Sequence, residues 1–303
     1  MKAIMFDEFG GPDVLHVSDV DRPEPGPGQV RVAVRAAGVN PIDTKMRSGA
    51  FTTKLPKVPG IDVAGVVDAV GEGVTSPAVG QRVVGWADGP TGSYAEYTLA
   101  RDLAPMPDKL SFTDAVTLPT AVEAAKRGLD LIGVEAGDTV LISGAAGAVG
   151  TIAVQMAVAR GATVVGTAGE ANQDYVRSLG AIPTTYGNGL VDRVRALVPR
   201  VDAVLDVAGK GVLPDAITLR GSTDRILTLA DNSASEFGVP FSGGTRADRS
   251  ISDLVEWADR TARGEVVTAV VGPYPLDRAA DAQRATESGH SRGKVVLTVD
   301  GNA

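Results

Sequence analysis

The chain has 303 residues, 44% of them hydrophobic, enough to build one large or two medium globular domains. It carries 37 acidic against 29 basic residues, a formal charge of −8, and no lysine or arginine cluster supplies the basic face that nucleic acid or an anionic membrane needs. The absence of cysteine removes disulfides, thiolate nucleophiles and every zinc site with a cysteine ligand. Apolar stretches such as Val58 to Val74 are broken by Asp62, Asp68 and Glu72, and Met1 leads into an alternating segment instead of a basic-then-apolar leader, so a cytoplasmic protein is expected. The two histidines, His16 and His290, lie far apart and are expected to be neither ligands nor catalysts.

In chain order, the first hundred residues read as β-rich. Val30, Val32 and Val34 alternate with Arg31, Ala33 and Arg35 as in a half-buried strand, after a run of Pro23, Pro25, Gly26, Pro27 and Gly28 that fits neither helix nor ladder. Turn signals recur at Gly38, Pro41, Gly49, Pro59 to Gly60, Gly71, Gly80 and Gly89 to Pro90, which predicts short strands in a compact barrel-like domain. Ser111 and Asp114 have capping-box spacing ahead of an alanine-rich helix. Short apolar runs then follow at Thr139 to Ile142, Thr163 to Val165, Ala203 to Val207 and Ile226 to Leu229. Several are separated by helical stretches, the rhythm of a doubly wound parallel sheet. Ile251 to Ala262 places Ile251, Leu254, Val255 and Ala258 on one stripe, predicting an amphipathic helix against a sheet. The tail reads as a strand over Val266 to Val271, a breaker at Gly272 to Pro275, a helix from about Asp277 and a strand from Lys294 to Val299. Pattern alone leaves it free to extend the parallel sheet or to return to the first domain.

The sharpest chemical signal is Thr139-Val-Leu-Ile-Ser-Gly-Ala-Ala-Gly-Ala-Val-Gly150, followed by a helical Thr151 to Arg160. A strand, a small-residue turn and a helix start make an anion site, where backbone N–H groups and the helix dipole favour a pyrophosphate. Gly147 admits the pyrophosphate and Gly150 permits close helix packing, while Ala145 replaces the first glycine of the usual motif. The next strand ends at Thr167, where enzymes selective for NAD carry an acidic residue, and this neutral side chain favours NADPH. The loop Ala168 to Asp174 contains Glu170 and no lysine or arginine for a phosphate, so NADH stays open.

The chain resembles the zinc-independent medium-chain dehydrogenase/reductases, the quinone oxidoreductase or zeta-crystallin-like family, over nearly its whole length. The resemblance rests on Ala37-Gly-Val-Asn-Pro-Ile-Asp43, Val58-Pro-Gly-Ile-Asp62, Gly80-Gln-Arg-Val83, Gly92-Ser-Tyr-Ala-Glu-Tyr97, Ser143 to Gly150, Leu179-Gly-Ala181, Val204 to Gly209 and Ser288 to Lys294. It implies an α/β fold: a GroES-like β-barrel domain over 1–118 and 266–303, and a doubly wound Rossmann domain over 119–265. It also implies a homodimer formed near Gly238 to Ser242. Where zinc-dependent relatives have Gly-His-Glu this chain reads Pro59-Gly-Ile-Asp62, so no metal site is expected.

The resemblance further implies that Asn40 and Lys45 are catalytic. Asn40 would orient the ribose or donate to a carbonyl becoming an enolate, although Asn40-Pro41 also suits a plain Asx turn. Lys45 stands where quinone oxidoreductases often have a tyrosine; it would donate a hydrogen bond or proton, or else be a solvated charge. Asp43 is expected to fix the turn. Ala146, Gly147, Ala148 and Val149 at the glycine turn, Thr167, Asn172 and Tyr186 at the adenosine end, Ala208, Leu229 and Ala230 after later strands, and Arg292 and Lys294 on the tail are the implied coenzyme contacts, the last two also fitting an ordinary charged turn. Ala124 replaces a threonine that touches the nicotinamide in relatives. Phe51, Trp86, Tyr94 and Phe241 are the aromatics nearest to candidates for a substrate cleft. The implied reaction is hydride transfer from NADPH, with NADH possible, to a quinone or α,β-unsaturated carbonyl. The alternatives are an enone reductase of a polyketide-like pathway and a coenzyme-binding protein with little turnover.

Overall fold

The structure, a computed structural model, describes residues 1–299. The chain forms two compact units, Met1–Thr120 with the described chain from Ser250 onward, and Ala121–Arg249. The stretch 250–265, expected in the Rossmann domain, clusters with the first unit.

The first unit begins with an antiparallel pair, β1 (Lys2–Met5) and β2 (His16–Asp19). Then come β3 (Val30–Val39), the helix α1 (Pro41–Ser48), β4 (Asp62–Val70), β5 (Arg82–Ala87), β6 (Tyr97–Pro105) and the short α2 (Phe112–Ala115). β3 pairs with both β4 and β6, and β5 joins β4 to β6, so these four strands close on themselves as the barrel expected from the turn spacing. β3 is buried on both faces, contrary to a half-buried reading, and Arg31 on it is accommodated by ion pairs: Nε donates to Asp68 at 2.6 Å and Nη1 to the exposed Glu24 at 2.8 Å. Gly38 is not a turn but the ninth residue of β3, a place where neighbouring chains come close. The Ser111 cap forms, with its hydroxyl accepting from Asp114 N at 3.0 Å, but it opens only α2. The alanine-rich helix is a separate one, α3 (Pro119–Leu131), since Pro119 lacks an N–H and suits the first turn of a new helix.

The second unit is built on a five-stranded parallel sheet. After α3 it runs β7 (Thr139–Ser143), α4 (Ala148–Ala159), β8 (Thr163–Thr167), α5 (Gln173–Ser178), β9 (Ile182–Thr184), α6 (Leu190–Leu197), β10 (Ala203–Asp206), α7 (Leu213–Arg220) and β11 (Ile226–Thr228). The spatial order β11-β10-β7-β8-β9 reverses at β7, the doubly wound Rossmann arrangement with its switch point beside the first strand. Leu141, Val165, Val204, Leu213 and Ile226 fill one core cluster on this sheet. Near Gly238 to Ser242 the chain adds a single parallel bridge, Thr228 to Phe241, to β11.

The tail carries α8 (Ile251–Ala262), β12 (Val270–Pro275), α9 (Ala279–Glu287) and β13 (Lys294–Thr298). α8 buries Leu254, Trp257 and Ala258 and packs against β6. β13 pairs antiparallel with β3, so the tail returns to the first unit's sheet. β12 begins later than expected and runs through Gly272-Pro273, with its pairing to β13 shifted between Val271 and Tyr274. Proline cannot donate to a ladder but is tolerated there because β12 is the edge strand.

Candidate functional site

In the second unit the implied coenzyme residues gather at one edge of the parallel sheet. The register aligns Ser143 with Thr167 and with Asp206, Thr167 with Thr184, and Asp206 with Thr228. The segments that follow these strands therefore leave from the same carboxyl edge, where open α/β sheets bind ligands. They carry Ala146 to Val149, Asn172, Tyr186, Ala208 and Leu229 to Ala230.

The turn after β7 fits a dinucleotide. Gly144 has φ of 85°, a left-handed conformation that turns the chain back beneath the helix. A Cβ on Gly150 would lie 2.1 Å from the Gly144 carbonyl, so only glycine lets α4 sit this close. A Cβ on Gly147 would meet nothing nearer than 3.5 Å, and Gly147 precedes α4 without a capping side chain. The helix start thus keeps its unpaired N–H groups and positive dipole end for an anion.

Around it, several implied contacts prove to be occupied by the fold. Thr167 is buried and its hydroxyl accepts from Gly144 N at 3.2 Å, which locks the turn. The N–H of Ala208 donates to Asp206 Oδ1 at 3.0 Å, that of Leu229 to Asp206 O at 2.8 Å and that of Ala230 to Thr228 Oγ1 at 3.1 Å, so these residues offer surfaces and carbonyls only. Tyr186 is exposed, with its hydroxyl beside Gly169, and Asn172 is half-buried. Sequence reasoning missed Arg193 and Gln173, which build this corner. Arg193 donates to the carbonyls of Thr185, Tyr186, Gly187 and Asn188, and Gln173 Nε2 to those of Ala168, Gly169 and Thr184. The exposed Glu170 begins the turn between Gly169 and Gln173.

In the first unit, Asn40 ends up in a buried polar cluster. Its Nδ2 donates to Asp62 Oδ2 at 2.9 Å, and Lys294 Nζ donates both to Asn40 Oδ1 and to the same Asp62 oxygen, the latter at 2.6 Å. Asp62 Oδ1 accepts from the backbone and hydroxyl of Thr120. Asn40, Asp62 and Lys294 are all buried, so Lys294 is an internal ion-pair partner and not a solvated tail charge. Arg292 is exposed. Asp43 fixes the turn as expected: Oδ2 accepts from Asn40 N at 2.8 Å and Oδ1 from Gly60 N at 3.2 Å, with the Tyr94 hydroxyl 3.4 Å from Oδ2. Burial raises the Asp43 carboxyl to about 7, against the lowering effect of those N–H groups and of Lys294. Lys45 lies half-buried on α1, and its ammonium has no partner among the described residues. Trp86 and Tyr94 are core residues, whereas Phe51 and Phe241 are half-exposed.

Family models match over 26–108, described as the alcohol dehydrogenase GroES-like domain, and over 148–242, described as zinc-binding dehydrogenase. A quinone oxidoreductase of Sus scrofa is 36% identical, covering 97% of this chain and 95% of its own. An NADPH-dependent alkenal/one oxidoreductase of Arabidopsis thaliana is 33% identical over 98% of this chain and 79% of its own. The solved quinone oxidoreductase from Coxiella burnetii superposes with a TM-score of 0.89 at 32% identity, covering 99% of both chains. The second model's description implies zinc, and the residues here do not fit it. The chain has no cysteine, both histidines are exposed, and among the described residues no group of three or more His, Asp or Glu could hold a metal ion. By its length-wide kinship and its two large sheets, the chain belongs to the quinone oxidoreductase family of medium-chain dehydrogenase/reductases.

Proposed function

We propose that this chain is an NADPH-dependent reductase that passes hydride to a quinone or an α,β-unsaturated carbonyl, and that it works without zinc, in the cytoplasm, as a homodimer. The observation that carries the coenzyme assignment is the uncapped start of α4 at Gly147, held open beneath the carboxyl edge of a parallel sheet. The acceptor class rests on the quinone and alkenal/one activities named for the relatives. Neither name favours a polyketide-like pathway or a binder without turnover.

Bound NADPH supplies the hydride and one electron pair with it. Hydride at the β-carbon of an enone moves charge onto the carbonyl oxygen, and a donor aimed at that oxygen lowers the barrier. The free N–H of the Asn40 amide is the donor in this reading, and the unpartnered Lys45 ammonium supplies the proton that completes the reduction. The Gly144 to Gly150 turn holds the pyrophosphate, Tyr186 and Asn172 border the adenosine end, and Arg292 is a further candidate contact. The neutral Thr167 leaves room for a 2′-phosphate.

The test is oxidation of NADPH and NADH by purified protein with 1,4-benzoquinone, 9,10-phenanthrenequinone and a simple enone, each with and without a chelator. Turnover that prefers NADPH and survives chelation supports the reading. Loss of activity on chelation, or oxidation of neither coenzyme with any acceptor, overturns it.

A further inference from the structure

The geometry points to Lys294 as the positioning residue that fixes which end of the Asn40 amide is free to meet a substrate oxygen, with the bare Cα of Gly38 as the gap through which it reaches. This inference rests on the proposed function, since it assigns how that site orients its donor.

The argument begins with donor and acceptor capacity. An ammonium can only donate and a carboxylate can only accept. Lys294 Nζ sits against Asn40 Oδ1, and Asp62 Oδ2 lies 2.9 Å from Asn40 Nδ2. Rotating the amide by half a turn would set Nδ2 against the ammonium and Oδ1 against the carboxylate, two repulsive contacts in a buried place. The amide is therefore held one way round. Its oxygen and one N–H are spent, and the other N–H has no partner among the described residues. What remains is purely a donor, suited to a carbonyl oxygen that gains charge and unsuited to a hydroxyl proton that would need an acceptor.

The strands explain how the lysine gets there. Lys294 opens β13 and Asp62 opens β4, on opposite sides of β3, with Gly38 paired to Asp62 on one side and to Val296 on the other. A Cβ on Gly38 would lie 2.7 Å from Lys294 Cε and 3.0 Å from Asp62 Cβ. The lysine stem crosses β3 over this glycine, and any side chain there would push the pair apart. Lys294, expected at the coenzyme, spends its ammonium on Asn40 and Asp62 inside the first unit.

The experiment is a mutant cycle of K294M and N40A, with K294R, G38A and the charge-neutral double variant D62N/K294M alongside. Each is read by kcat, KM for the acceptor, NADPH affinity and thermal unfolding. If Lys294 acts by orienting Asn40, K294M and G38A each lower kcat by ~10²-fold, the size of a lost oxyanion donor, with NADPH affinity unchanged. K294R retains most activity, and K294M adds nothing in the N40A background. Should K294M unfold because Asp62 is left unpaired, D62N/K294M gives the same reading without the stranded charge. Losses that multiply in the double variant overturn the inference, as does a fall in NADPH affinity with kcat intact. If the wild type reduces no acceptor, the proposed function fails, and Lys294 is judged from the Asn40 side-chain amide in nitrogen–proton correlation spectra. Two widely separated protons that converge in K294M support positioning, and no change overturns it.

Discussion

Replacing Asp43 with Asn tests the most perturbed carboxyl in the first unit. Asp43 is fully buried between Asn40 N, Gly60 N and Tyr94, and its carboxyl is raised to about 7. From the ordinary value of 3.8 to about 7, the folded state therefore binds a proton that the unfolded chain has released. Stability conferred by this group is greatest in acid, falls as pH rises from 3.8 to about 7, and is flat above that. Across the accessible range, from about pH 5 to about pH 8, the shift corresponds to a loss on the order of 3 kcal/mol from this residue. D43N keeps the shape and never ionises; it surrenders one acceptor to the two N–H groups, a cost independent of pH. The stability of D43N minus that of the wild type should therefore climb by a few kcal/mol, on the order of 3, over that range. Urea unfolding followed by tryptophan fluorescence reads the right part of the molecule, because Trp86 and Trp257 both lie in the first unit. Parallel stability curves for the two proteins would refute the claim that burial holds Asp43 protonated.

Gly150→Ala forces a Cβ to within 2.1 Å of the Gly144 carbonyl, so α4 must move away from the turn; NADPH binding measured by fluorescence titration should weaken at least ~10-fold, and unchanged affinity would show that the turn does not bind coenzyme. Glu170→Lys exchanges an exposed carboxylate for a cation in the turn beside Gly169, and the ratio of NADPH to NADH affinity should rise by roughly 5-fold, as expected of one exposed charge reversal. An unaltered ratio would place the 2′-phosphate elsewhere.

Much of the architecture was legible because its signals are local and coincide. A β-branched run, a small-residue turn and a helix with apolar faces all occur within Thr139 to Ala159, and the structure places β7 and α4 there. The same local logic failed where tertiary position overrides it. Gly38 looks like a turn residue until β13 and β4 flank it, and Pro273 looks like a stop until β12 proves to be an edge strand. Asp62 and Lys294 are 232 residues apart, so no spacing rule could pair them, and no local pattern shows that the Thr167 hydroxyl accepts from Gly144 N. The sequence does carry one sign of the buried-strand context of Lys294, a lysine leading directly into Val-Val-Leu.

The most direct test is a single-turnover reaction of the metal-stripped protein with NADPH deuterated at the transferring position and a simple enone. Deuterium recovered at the β-carbon of the saturated ketone, with a solvent proton at the α-carbon, is the predicted result. Product without deuterium, or reduction of the carbonyl to an alcohol in place of the alkene, would contradict the account.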